Sequence, residues 1–65
     1  MDPKQIFELI IKSDEKLKYA NDANRPTREA QAKELLAQAL AAAREIDNAA
    51  LISQAEQRLA DLGTG

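Results

Sequence analysis

Carboxylates are the commonest reactive groups in this 65-residue chain, with eleven Asp and Glu against nine Lys and Arg. The first chemistry to test is therefore acid–base work by a carboxylate pair. Asp14 and Glu15 stand side by side in "SDEK", but neighbouring helix positions diverge by about 100° and do not face one another. Glu29 and Glu34 are not at a shared-face spacing either. There is no His and no Cys. That removes the usual neutral-pH general base, the thiolate nucleophile, the disulfide and the common zinc ligands. Glycine occurs only at 63 and 65, so no phosphate-cradling loop and no G-x-S-x-G turn can be built. "DANRPTRE" lacks the glycine and carboxylate spacing of a calcium loop, and Glu-x-x-His is absent. The expectation is a protein without catalytic residues, metal or cofactor.

The basic residues offer a different chemistry. Lys12, Lys16, Arg25 and Arg28 are the densest cationic group in the chain. Arg25 and Arg28 flank the predicted start of a helix, where free N–H groups already favour an anion. They are the candidate anion contacts, and the plainer alternative is a solvated face. Glu8 and Lys12 are spaced for an attractive i,i+4 pair and Lys12 and Lys16 for a repulsive one, each worth about 0.2–0.5 kcal/mol. A net charge of −2 argues against nucleic acid, whose binding draws mainly on clustered cations. Tyr19 has no second aromatic near it on which bases could stack.

What must position these residues is helical. Ala, Leu, Glu, Lys, Gln and Arg dominate after residue 27, and these are the strongest helix formers. No run alternates as a strand does. In "MDPKQ", Asp2 is placed to cap a helix with Pro3 at its first position. Ile6, Ile10, Leu17 and Ala20 then share one face, with Ser13 in the intervening turn, and the first helix is expected over 3–23. "NDANRPTRE" interrupts it, since Pro26 disfavours helical backbone at Arg25. The second helix, expected over 27–46, has either Arg25 or Thr27 as its cap. Its apolar face reads Ala32, Leu36, Ala39, Leu40, Ala43 and Ile46. Asp47 and Asn48 in "IDNAAL" supply a second break without Pro or Gly, which leaves one long continuous helix as the alternative. The third helix, expected over 49–62, carries Ile52, Ala55, Leu59 and Leu62 and stops at Gly63, with Thr64 and Gly65 frayed. The fold class is all-α: one antiparallel three-helix domain spanning 1–65. "IFELII" is too short and too acidic to be a membrane span or signal peptide, so a soluble, cytoplasmic protein is the default.

One stretch resembles a known family. In "AKELLAQAL", Ala32, Leu36, Ala39 and Leu40 have the spacing of the second helix of a tetratricopeptide repeat. Upstream, Tyr19 and Ala20 fall where that family has a large apolar and then a small residue. Ala23 falls where it usually has an aromatic, and Lys16 where it often has Trp. "AREIDNAALISQAEQRLADLG" looks like the end of one repeat running into the next helix. The resemblance covers about residues 16 to 62. It implies a tetratricopeptide-like helical hairpin plus one helix, and a role in protein–protein binding. The turn lacks the family's Gly-Asp and only one period is present, so the family's peptide groove is not carried over.

The apolar residues exceed what one stripe per helix can bury. Phe7 and Ile11 flank the Ile6/Ile10 stripe, Leu35 neighbours Leu36, and Leu51 neighbours Ile52. Either one wide face serves a single core, or Phe7, Ile11, Leu35 and Leu51 form a second surface that another chain covers. An Ala-rich core in so short a chain buries little area, and association would add what it lacks. The functional expectation is a small interaction or accessory module that binds a partner protein through an apolar helical face and self-associates as a homodimer. The alternatives are a purely structural bundle dimer and, more remotely, an anion- or nucleic-acid-binding regulator.

Overall fold

The structure, a computed structural model, describes residues 1–64. It is all-α: α1 spans Pro3–Lys18, α2 Arg25–Glu45 and α3 Ala49–Thr64. Helix α1 opens with a reciprocal capping box. Asp2 Oδ1 accepts from the Gln5 backbone N–H at 2.8 Å, and Gln5 Oε1 accepts from the Asp2 N–H at 3.1 Å. Pro3 stands inside the first turn, where the missing N–H is no loss.

Helix α1 ends at Lys18 rather than about Ala23. The reason is local competition from asparagine side chains, which offer the backbone another partner than the helix. Asn21 Oδ1 accepts from the N–H groups of Ala23 and Asn24, both at 3.0 Å, and Asn24 Oδ1 accepts from the Asn21 N–H at 2.7 Å. These bonds close the corner over residues 19–24. They also correct the expected start of the second helix. The cap residue is Asn24, not Arg25 or Thr27, and it makes no side-chain capping bond because its oxygen is engaged by Asn21. Arg25 is helical despite the proline after it.

The second corner is a real break, not a continuous helix. Asp47 takes a left-handed φ of 54°. The Asn48 N–H reaches back to the Ala43 carbonyl at 2.9 Å, and the Asp47 N–H to the Arg44 carbonyl at 3.1 Å. That pair of bonds is a Schellman closure, which satisfies carbonyls at the helix end. Asn48 then caps α3, its Oδ1 accepting from the Leu51 N–H at 3.1 Å. At the far end α3 runs through Gly63 to Thr64, two residues past the expected stop, since Gly63 does not take the left-handed conformation that would end it. Gly65 lies outside the described residues.

The core cluster is Ile6, Ile10, Leu36, Ala39, Ala42, Ala43, Leu51 and Ala55, with Leu9, Leu40, Ile52, Leu59 and Leu62 packed against it. Half of the buried cluster is alanine, so backbones approach closely while little apolar area is gained per residue. Ser13 is fully buried in the α1 stripe and satisfied within its own helix, donating to the Ile10 carbonyl at 2.6 Å. Ile46, expected on the α2 apolar face, stands outside the helix as its C-cap and is 39% exposed. Helix α2 packs extensively against both neighbours, whereas α1 and α3 touch each other little. The Cα atoms occupy 37 × 21 × 13 Å.

Among the described residues, two ion pairs tie α3 to the other helices. Arg58 holds Asp14 of α1 in a two-point contact, Nε to Oδ1 at 3.0 Å and Nη2 to Oδ2 at 3.1 Å. Arg44 of α2 meets Glu56 at 3.4 Å with both groups well exposed.

Candidate functional site

The four residues expected to face a partner separate into three places. Phe7 and Ile11 are one helical turn apart on α1, 44% and 38% exposed. Together with Glu8, Lys12 and Glu15 they line an open hollow of about 380 Å³ on the outer side of α1. Leu35 is half-buried and lines a second hollow of about 360 Å³ between α1 and α2, together with Lys12, Glu15, Lys16, Tyr19 and Arg28. The two hollows adjoin, because Lys12 and Glu15 line both.

Leu51 does not belong to this surface. It is 7% exposed and sits in the core, while its neighbour Ile52 is the half-buried member of the pair. Adjacent helix positions point about 100° apart, so only one of two consecutive apolar residues can face the core squarely. Which one does so depends on how the helix is rotated by its corner. Here the Asn48 cap starts α3 in a phase that turns Leu51 and Ala55 inward.

The basic residues also divide. Arg28 is half-buried at the α1–α2 hollow beside Lys12 and Lys16, while Arg25 is exposed and does not line it. None of Lys12, Lys16 and Arg28 makes an ion pair or side-chain hydrogen bond among the described residues. The i,i+4 pair of Glu8 with Lys12 is likewise not closed. Tyr19, the C-cap of α1, stands at one end of the hollow with the Lys18 ammonium 5.7 Å from its ring centroid, within the range of a cation–π contact.

The grouping of Lys12, Lys16 and Arg28 was expected from the sequence, and the packing of α2 on α1 adds that they share one hollow with Tyr19 and Leu35. The Asp14–Arg58 clasp was not read from the sequence, because it joins residues far apart in the chain and has no local signal.

Among the described residues, no group of three His, Cys, Asp or Glu side chains is arranged to hold a metal ion. Among the same residues, no helix is long and apolar enough to cross a membrane. Compared with known proteins, the chain matches no family model, no curated sequence and no solved structure.

Proposed function

We propose that this chain is a small interaction module, not an enzyme, that binds a partner protein through the exposed apolar side of α1 and associates with itself through the same side. In this reading it is a cytoplasmic, tetratricopeptide-like antiparallel hairpin with one added helix. The observation that carries it is the pairing of Phe7 and Ile11, both more than a third exposed on consecutive turns of one helix, above a core that is half alanine. Apolar side chains grouped at a surface gain by being covered. A short chain with a thin core gains further stability from any partner that binds only its folded form. Leu35 extends the surface from α2, and Leu51 is left out of it.

Sedimentation velocity over a concentration series tests the proposal, with Ile11→Glu as the variant. The expected result is a heavier species at high concentration that the variant returns to monomer, with the helical circular dichroism unchanged. A wild-type protein that is monomeric throughout removes the homodimer. A variant that loses its helicity makes Ile11 part of the core and removes the surface.

A further inference from the structure

The α1–α2 hollow has a composition that the apolar surface alone does not explain. Its apolar part is Leu35 and the ring of Tyr19, and its rim carries three cations and one carboxylate, Lys12, Lys16, Arg28 and Glu15. Elsewhere two arginines are committed to carboxylates of this chain, Arg58 to Asp14 and Arg44 to Glu56. The three cations at the hollow have no such partner among the described residues. Lys16 and Arg28 are moreover half-buried, so part of each side chain is held against the protein and not extended into solvent. Three cations gathered at one hollow attract an incoming carboxylate together.

We propose that this hollow is the docking site for an acidic segment of a partner protein that also carries apolar side chains. The proposal rests on the reading of the chain as a protein-binding module and specifies the chemistry of the partner. Carboxylates of the segment meet Lys12, Lys16 and Arg28, and an apolar side chain lies on Leu35 against the Tyr19 ring. Lys12 and Glu15 both lie on the wall shared with the Phe7–Ile11 hollow, where Glu8 is the other charged group. Two carboxylates against one ammonium disfavour an anion on that side, so the part of the segment that reaches Phe7 and Ile11 is apolar. The volume, about 360 Å³, falls at the small end of the ~300–1,000 Å³ typical of ligand clefts. That suits a few side chains of an extended or helical peptide. A nucleic acid fits less well, because outside this hollow a chain of net charge −2 presents mainly negative surface to a long polyanion.

The test is a titration of ¹⁵N-labelled protein, followed by amide chemical shifts, with three probes. These are an end-blocked peptide of repeated Leu-Glu-Glu, the same peptide with Gln for every Glu, and a fifteen-residue oligothymidine. The expected result is saturable shifts at Lys12, Lys16, Tyr19, Arg28 and Leu35 with the acidic peptide only. Its Kd should weaken at least tenfold in Lys16→Glu/Arg28→Glu. The Gln peptide makes the same comparison on the wild-type protein, should that variant fail to fold. Equal binding of the Gln peptide, shifts that avoid the hollow, or no shift at millimolar peptide would overturn the proposal. Tighter binding of oligothymidine would reassign the hollow to nucleic acid. Conversion of a self-associated form to monomer by Lys16→Glu/Arg28→Glu, with the fold kept, would reassign it to a second copy of the chain. The sedimentation experiment with Ile11→Glu reads the underlying module proposal separately, so either can fail while the other stands.

Discussion

The two corners of this molecule solve one problem by opposite means. At the first, six residues separate α1 from α2, and asparagine side chains close the turn: Asn21 accepts two backbone N–H groups and Asn24 accepts one. At the second, three residues separate α2 from α3, and the backbone closes on itself through one left-handed residue, Asp47. Only the second corner also caps the helix that follows, through Asn48. Helix α2 begins without any side-chain cap. Its proline in the first turn lessens the need, because Pro26 has no N–H to leave unsatisfied. A longer corner closed by side chains should therefore tolerate change better than a shorter one built on a single backbone angle.

Denaturation followed by circular dichroism can break or sharpen that contrast. The largest effect is expected for Asp47→Val, which puts a β-branched residue at positive φ and should cost about 1–2 kcal/mol. A cost near zero would mean that the left-handed closure contributes nothing. Next is Asn48→Ala, which removes the α3 cap and should cost about 1 kcal/mol. Asp47→Gly should act in the opposite direction and stabilise by about 0.5–1 kcal/mol, since glycine meets no steric penalty at that angle. Opposite signs for the Val and Gly variants at one position are the clearest signature of the second corner. Asn21→Ala is expected to cost only about 0.5 kcal/mol, at the low end for a hydrogen bond. Its side chain is exposed, water can replace it, and the Arg25 N–H to Asn21 carbonyl bond at 2.8 Å remains. If Asn21→Ala proves costlier than Asn48→Ala, the contrast between the corners is reversed.

The corners also show how far the sequence could be read. Asp2 and Pro3 at the first helix start, and a break at Asp47 and Asn48, are local chemistry and were legible. So was the all-α class, which rests on summed propensity and on the absence of alternation. The end of α1 was not legible. Tyr19 to Ala23 contains no proline or glycine, and what stops the helix is a set of side-chain bonds between Asn21 and Asn24 that competes with it. The core was legible as a set of stripes but not in phase. Ala42 and Leu51 are buried where Ile46 and Ile52 were expected to be, because each such choice depends on helix rotation within the tertiary packing. The same uncertainty of phase placed Leu51 among the surface candidates. Arg25 and Arg28 are close in sequence and were taken together, yet only Arg28 reaches the hollow. Three residues apart they are neighbours on one helix face, but Arg25 is the first residue of α2 and stands exposed about one turn short of the hollow.

The sparse contact between α1 and α3 has a kinetic consequence. Nearly all of the packing joins helices that are neighbours along the chain, a pattern of low contact order that goes with folding in microseconds to milliseconds. Among the described residues the ion pair of longest sequence separation is the Arg58–Asp14 clasp, and closing it before α2 has folded means closing a long loop. It should therefore form after the rate-limiting step. Asp14→Asn would then speed unfolding by up to about fivefold, since a partly exposed pair is worth about 0–1 kcal/mol, while leaving the folding rate nearly unchanged, so the clasp bears on how long the native state lasts and not on how quickly it is reached.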